Sequence, residues 1–412
     1  MAYHAQTDVY ERFTRRRLVL PQKGSFMTMP SPKWSHFGTS IFSLMTQAAN
    51  QHGAVNLAQG FPNFDGPLEI KEAAIRAIQE DYNQYAPSAG IPRLREMLSD
   101  RMKKVSGLHY SPNDEITVFS GATEALFCAF QAFLRPGEEI LTFAPFFDCY
   151  PAGAFSAGAK LVEIPLKTPD WTFTEEDLES RVTLKTRAIL VNTPHNPTGR
   201  VFSSAEMEII ARFAKKHDIL VITDEVYEEL IFDDQPFTRM ASLNGMRDRT
   251  VVISSSAKTF SLTGWKIGFT FAPPHLSREL RAVHQFTVFC SATPLQAGIC
   301  AALSLGDSYY KTLRKEYQER RDLLCDGLAS LGFKFRKPEG TYFVVADYSH
   351  MSKLPDHEFA LWLTENKKVA VIPTSVFYEN PKEIASRQSF VRFAFCKDLN
   401  TLKIGLRNLR EL

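Results

Sequence analysis

The chain has 412 residues and a formal net charge of +2, with 44% hydrophobic and 23% charged residues. This composition is typical of a folded protein with a large core, and it excludes a disordered chain. The balanced charge argues against nucleic acid as a partner, since nucleic-acid binding normally needs a clustered basic surface. No apolar run approaches the roughly 18 residues that span a bilayer, so we expect no membrane partner. The composition indicates a soluble enzyme or a large binding protein.

The six cysteines are scattered, with no Cys-x-x-Cys pair and no Cys/His cluster at zinc-ligand spacing. They predict reduced structural thiols, a cytoplasmic location and no metal site. Residues 1–34 contain four arginines together with Asp8 and Glu11, and the apolar stretch that follows the arginines is too short for a secretory signal. We interpret residues 1–34 as an N-terminal extension, with a transit peptide as the open alternative.

In chain order, the apolar spacing of Leu68–Glu80 first predicts a helix. Ser203 and Glu206 then form a capping box that opens a helix over Ala205–Lys216. Short β-rich runs alternate with helical or loop stretches through the same region. These runs are Glu115–Phe119, Glu139–Phe143, Ala188–Val191, Ile219–Ile222, Thr250–Ile253 and Ile267–Phe271. The alternation predicts a mostly parallel sheet covered by helices on both faces.

The C-terminal part of the chain predicts a smaller α+β unit. Apolar residues at helical spacing over Tyr310–Leu331 predict a long helix that ends at Gly332. The elements predicted after it are strands around Tyr342–Ala346, Val369–Ile372 and Phe390–Phe395, and helices at His357–Asn366 and Leu399–Leu409. The fold class is therefore α/β, with a large domain and a smaller α+β domain.

Ligands of open parallel sheets bind beyond the carboxyl ends of the strands, so the residues after each β run are candidates. A glycine turn at Ser120–Leu126 opens a helix whose free amides could bind an anion, although many plain βα turns look the same. The chain lacks the Gly-x-Gly-x-x-Gly and P-loop patterns of nucleotide sites.

Three further strand ends carry polar residues. The turn Asn192–Gly199 follows one run, and Asp224 follows a run that should be buried, where a carboxylate needs a cation or several donors. Lys258 follows another run and is either a solvated loop residue or an amine with a lowered pKa. An asparagine, an aspartate, a tyrosine and a lysine beside an anion site together match the needs of pyridoxal phosphate.

The sequence resembles the class I pyridoxal-phosphate aminotransferases of fold type I, in the kynurenine/glutamine/methionine aminotransferase branch and closest to the methionine aminotransferases. The resemblance covers about Ser35 to the C-terminus. The motifs that carry it, in family order, are Gln59–Pro62, Asn83–Tyr85, Gly121–Glu124, Pro145–Asp148, Asn196–Gly199, Asp224–Tyr227 and Ser255–Lys258. It implies a transaminase with residues 35–59 packing on the small domain, 60–305 as the cofactor-binding large domain and 306–412 as the small domain.

The resemblance assigns roles residue by residue. Lys258 would form the Schiff base and move the proton, Asp224 would pair with the ring nitrogen, and Asn196 and Tyr227 would bond the phenolic oxygen. Phe147 would stack on the ring. The phosphate would be held by Gly121, Ala122, Thr123, Ser255, Lys266 and, from the other subunit of a homodimer, Tyr85.

Arg392 interrupts an apolar strand, where its guanidinium needs a partner, and a structural salt bridge is an even alternative. The resemblance makes it the clamp for the substrate carboxylate, with Asn196 and the Gly60 backbone. Phe42 and the Phe289 of the other subunit would line an apolar side-chain pocket. That pocket favours methionine, phenylalanine, kynurenine or glutamine-like amino acids with a 2-oxo acid as co-substrate.

Other functions remain open at this point. The same cofactor chemistry could serve a β-lyase acting on cysteine conjugates, and the fold could serve a non-catalytic regulator. Ser255–Lys258 also fits the Ser-x-x-Lys signature of penicillin-binding acyl enzymes, but the Ser-Asp-Asn and Lys-Thr-Gly motifs that this function needs do not occur.

Overall fold

A seven-stranded sheet occupies the middle of the chain in the computed structural model, which describes residues 33–35 and 37–410. In these residues the strands, in chain order, are β1 Val55–Asn56, β2 Ile116–Phe119, β3 Glu139–Ala144, β4 Lys160–Pro165, β5 Thr186–Asn192, β6 Leu220–Asp224, β7 Thr250–Ser255, β8 Gly268–Phe271, β9 Phe343–Asp347, β10 Val369–Ala370, β11 Ile372–Pro373 and β12 Phe390–Ala394. The order across the large sheet is β2-β8-β7-β6-β5-β3-β4. Of these seven strands, β8 alone runs opposite to the other six, so the predicted mostly parallel sheet is confirmed.

Helices cover both faces of this sheet and surround the smaller sheets. Over the described residues the α-helices are α1 Ile41–His52, α2 Leu68–Gln79, α3 Pro92–Ser106, α4 Ala122–Phe133, α5 Cys149–Ser156, α6 Glu175–Glu179, α7 Ser204–Lys216, α8 Ser256–Thr259, α9 Pro274–Thr287, α10 Thr293–Leu303, α11 Asp307–Ser330, α12 Asp356–Asn366, α13 Pro381–Ala385 and α14 Leu399–Leu409. The capping box at α7 is confirmed, because Ser203 accepts from the Glu206 amide and Glu206 accepts from the Ser203 amide. Helix α11 is followed by Gly332 at φ +93°, the glycine stop that the sequence predicts.

Two details of the strand prediction differ from the structure. Strand β4, Lys160–Pro165, was not predicted; it lies at the edge of the sheet, and its six residues show no regular alternation of polar and apolar side chains. The run Val369–Ile372 divides at Val371 into two short strands, because β10 pairs with β1 while β11 pairs with β12. Strands β11, β12 and β9 form a small antiparallel sheet that places Arg392 opposite Ile372 and Val345.

Residues Thr39–Leu412 form one compact unit. The division of the chain into 35–59, 60–305 and 306–412 stays a prediction. The predicted extension over 1–34 falls outside the described residues except for Lys33 and Trp34. Within the part of the chain that the structure describes, no helix is both long and apolar enough to cross a membrane.

Candidate active site

A cavity of about 290 Å³ opens beyond the carboxyl ends of β2, β5, β6 and β7. The sheet brings these ends to one edge, so residues far apart in sequence line one space. The residues that the sequence predicted here and that line the cavity are Phe42, Gly60, Gly121, Ala122, Thr123, Phe147, Asn196, Asp224, Tyr227, Ser255, Lys258, Lys266 and Arg392.

An anion cradle stands at the start of α4. The Ala122 and Thr123 amides lie in the first turn, where no helical carbonyl accepts their hydrogens. Gly121 holds φ +86°, and a Cβ there would lie 3.1 Å from the Lys266 Nζ. Gly268 packs so closely that a Cβ on it would meet the Ala122 nitrogen at 2.5 Å. The two glycines therefore keep amides and an ammonium exposed to one small volume.

Asp224 is the last residue of β6 and is buried. Its Oδ2 accepts a hydrogen bond of 2.7 Å from the Tyr150 hydroxyl, and its Oδ1 accepts one of 3.3 Å from the Val226 amide. Burial raises the pKa of Asp224, whereas these two donors and the nearby Lys258 act in the opposite direction. The two donors therefore fix the orientation of the carboxylate, which can still bind a cationic partner.

Lys258 stands in the one-turn helix α8, directly after β7. Its Nζ lies 5.7 Å from the centroids of the Tyr227 and Tyr342 rings. Burial is the main reason that the pKa of Lys258 falls to about 8. At pH 7 about one tenth of this amine is thus neutral and nucleophilic, far more than for a lysine with an unshifted pKa.

The guanidinium of Arg392 is 1% exposed and faces the cavity from β12. It donates to the Asn196 Oδ1 at 2.9 Å and to the Ala58 carbonyl at 3.1 Å, and its carbon atom Cζ lies 3.9 Å from the centroid of the Phe343 ring. Its Nε has no hydrogen-bond partner, and no carboxylate of the described residues forms an ion pair with it. Burial lowers the pKa of Arg392 to about 10. The alternative of a structural salt bridge is therefore not supported by the described part of the chain.

Tyr85 and Phe289 do not line the cavity of their own chain. Their rings pack edge to face at 5.3 Å on the surface, where Tyr85 is 83% exposed. Both were predicted to act from the other subunit, and this placement leaves them free to do so.

The donor set fits pyridoxal phosphate: an amine with a lowered pKa, a buried carboxylate, and a cradle that a single Cβ would fill. The family model for class I and II aminotransferases matches residues 52–409 of the chain. The chain belongs to this family. It is a pyridoxal-phosphate-dependent transaminase, as the sequence predicted, and its substrates are amino acids and 2-oxo acids.

Relatives of this aminotransferase resemble it over most of their length. The methionine aminotransferase of Escherichia coli is 36% identical over 93% of this chain and 98% of its own. Kynurenine–oxoglutarate transaminase 3 of Rattus norvegicus is 39% identical over 88% of this chain and 86% of its own. Two solved structures have TM-scores of 0.89: the Escherichia coli methionine aminotransferase, at 36% identity, and the N-succinyldiaminopimelate aminotransferase of Mycobacterium tuberculosis, at 38%. Each comparison covers 93% of this chain and 100% of the solved structure.

Sequence reasoning gave no role to several further residues at the aminotransferase site, among them Tyr150, Asn192 and Tyr342. Tyr150 was not singled out because it lies inside α5, where a tyrosine normally indicates core. Asn192 ends β5, donates to the Asp224 carbonyl at 2.9 Å and accepts from the Asn196 amide at 2.7 Å. Tyr342 donates to the Gly60 carbonyl at 2.5 Å. The position of Asn192 at a strand end was the one available signal.

Proposed function

We propose that this aminotransferase acts on L-amino acids with an apolar, sulfur-containing or aromatic side chain. Methionine, phenylalanine, kynurenine and glutamine-like compounds are the candidates, and a 2-oxo acid accepts the amino group. The single observation that carries the proposal is the buried guanidinium of Arg392, which faces the cavity beside the rings of Phe42, Phe343 and Phe377 and forms no ion pair with a carboxylate of the described residues.

Lys258 is the catalytic residue in this proposal. Bound pyridoxal phosphate supplies an aldehyde that reacts with amines and a ring that withdraws electrons from the carbon bearing the amino group. The neutral Nζ of Lys258 would hold the cofactor through its aldehyde, and the same amine would accept the proton of the substrate α-carbon. Burial lowers the pKa of Lys258 to about 8, so the amine can both accept and return that proton near neutral pH.

Four groups of side chains and amides would hold the cofactor. Asp224 would hold the ring nitrogen protonated, while Tyr227 and Asn196 would bond the phenolic oxygen. Phe147 would pack against the ring, and the cradle at Gly121–Thr123 would bind the phosphate with Ser255 and Lys266. Each of these residues lines the one cavity, which supports the assignment.

Arg392 binds the substrate α-carboxylate. Its planar fork matches a carboxylate, and Asn196 fixes the fork by accepting one hydrogen bond. The carbonyl oxygen of Gly60 accepts a hydrogen bond from the Tyr342 hydroxyl. The Gly60 amide is the backbone group that would bind the same carboxylate.

The pocket for the substrate side chain is aromatic. Phe42 lies 6.4 Å from Phe147 and 6.3 Å from Phe377, measured between ring centroids. Arg392 is the one arginine among the described residues that line the cavity. An acidic side chain would need a second cation there, so aspartate is a poor substrate. The names of the methionine and kynurenine relatives agree with this preference.

We further propose a homodimer with shared sites. Tyr85 and Phe289 are exposed by 83% and 45% and pack against each other, so two large aromatic side chains lie together on the surface. A second copy of the chain would cover this surface and receive Tyr85 at its phosphate cradle and Phe289 at its side-chain pocket.

The proposal is tested by adding methionine to the yellow holoenzyme without any 2-oxo acid. We expect one equivalent of the 2-oxo acid of methionine per site, with loss of the yellow colour, and kcat/KM for methionine at least about 100-fold above that for aspartate. A holoenzyme that prefers aspartate would contradict the assigned pocket. A protein that binds no pyridoxal phosphate would contradict the whole assignment.

A further inference from the structure

Behind the anion cradle lies a buried pair of side chains that takes no part in the proposed chemistry. Glu124 is the third residue of α4, and its Oε2 accepts a hydrogen bond of 2.5 Å from the Ser120 amide. Its Oε1 lies 2.7 Å from the Nδ1 of His284, which belongs to α9 and is fully buried. Neither side chain lines the cavity.

The hydrogen bonds of His284 fix how many protons the pair holds. Its Nε2 lies 3.0 Å from the Ser88 carbonyl oxygen, which can only accept, so Nε2 carries a hydrogen. The 2.7 Å contact between Nδ1 and the Glu124 Oε1 also needs one hydrogen. Whether the imidazole or the carboxyl holds that second hydrogen, the pair bears no net charge.

The geometry does not favour a metal site at this pair. Cys128 is the third potential ligand, with its Sγ 3.9 Å from the Glu124 Oε1. Burial raises the pKa of Cys128 to about 12, which keeps the thiol protonated. Both ring nitrogens of His284 are already engaged. The ring is also fixed edge to face on Phe119 at 4.7 Å.

We propose that His284 is a positioning residue that neutralises Glu124 so that the start of α4 stays an anion site. A carboxylate in the first turn interacts with the same helix end that would hold the cofactor phosphate. With its charge uncompensated, Glu124 would repel that phosphate through a buried, poorly screened region. The inference rests on the proposed function, because it takes the cradle at Gly121–Thr123 as the phosphate site.

The test compares the Kd of pyridoxal phosphate with the Kd of pyridoxal, which lacks the phosphate. The ratio of the two Kd values gives the contribution of the cradle to binding. Absorbance titration of the apoenzyme with each compound measures both Kd values without any turnover. His284→Asn keeps a neutral donor beside Glu124 but removes the ring. We expect the preference for the phosphorylated compound to fall about tenfold in this variant.

The double variant with Glu124→Gln provides the decisive comparison. Removing the carboxylate removes the repulsion, so the preference should return to within about twofold of the wild type. A structural role of His284 alone would leave the double variant as impaired as His284→Asn, and that result would overturn the inference. So would an unchanged preference in His284→Asn.

Two further variants keep the test informative. The single variant Glu124→Gln can make the same hydrogen bonds as the native side chain. Because the native pair is neutral, the preference of this variant for pyridoxal phosphate over pyridoxal should match that of the wild type. A preference raised tenfold or more would show that Glu124 carried an uncompensated charge, and it would overturn the inference. Lys266→Met tests the cradle itself. If Lys266→Met leaves the preference unchanged, the phosphate assignment fails; if it lowers the preference while the His284 variants do not, only the present inference fails.

Discussion

The hydroxyl of Tyr150 donates a hydrogen bond of 2.7 Å to the Oδ2 of Asp224, deep in the cavity. Asp224 has no ion-pair partner among the described residues, so this hydroxyl and the Val226 amide are the donors that orient its carboxylate. Burial raises the pKa of Asp224, and a cationic ring nitrogen would remove that penalty. The aspartate is thus prepared for a positively charged ligand.

Replacing Asp224 should impair chemistry far more than cofactor binding. Asp224→Asn keeps the shape but cannot hold the ring nitrogen protonated, so we expect kcat to fall by at least about 10³-fold. Tyr150→Phe removes only the orienting donor and should cost roughly tenfold. Stopped-flow measurement of the methionine half-reaction checks both. Equal effects of the two substitutions would mean that Asp224 acts as a structural residue.

The reactivity of Lys258 should depend on pH with an apparent pKa of about 8. Burial disfavours the charged amine, so the neutral form accumulates as the pH rises through that value. The rate of cofactor attachment to apoenzyme should be about one tenth of its plateau at pH 7 and should level off above roughly pH 9. Absorbance stopped-flow measures it, with Lys258→Ala as the control that forms no attachment. A profile still rising at pH 10 would indicate a solvated lysine.

Arg392→Ala should raise the KM for methionine by about 100-fold or more, because a charge-assisted pair with the substrate carboxylate is lost. Cofactor affinity should change less than about threefold, since Arg392 contacts Asn196 and Ala58 but lies outside the cradle. Arg392→Lys is the matched control: it keeps the charge without the planar fork and should recover only part of the loss. A larger effect on cofactor affinity than on KM would indicate a structural arginine.

Mixed dimers test the predicted role of Tyr85. Lys258→Ala should abolish turnover, and Tyr85→Ala should weaken it strongly by removing a phosphate contact made across the subunit boundary. When the inactive Lys258→Ala protein and the weakly active Tyr85→Ala protein are mixed in equal amounts and allowed to exchange subunits, half of the dimers carry one intact site. Activity should then recover to about one quarter of the wild type. No recovery, with exchange confirmed by native mass spectrometry, would place Tyr85 at the site of its own subunit.

Residues that follow buried strands were predictable from sequence. Asp224 and Lys258 each stand where a parallel strand ends, and such ends converge on one edge of the sheet for any chain with this alternation. The capping box at Ser203 and the glycine at Gly332 that ends a helix are local sequence motifs, and they were equally predictable. Strand β4, at the sheet edge, lacked a comparably strong pattern.

The sequence by itself therefore determined the sheet, the cofactor-binding motifs and the family, because these depend on periodicity and on short segments at strand ends. Only the tertiary structure decided that Tyr150 holds Asp224, that Arg392 has no anionic partner in the described chain, and that His284 meets Glu124. Such pairs join residues 74 and 160 positions apart. Their chemistry arises from burial and distance, which no local pattern of residues encodes.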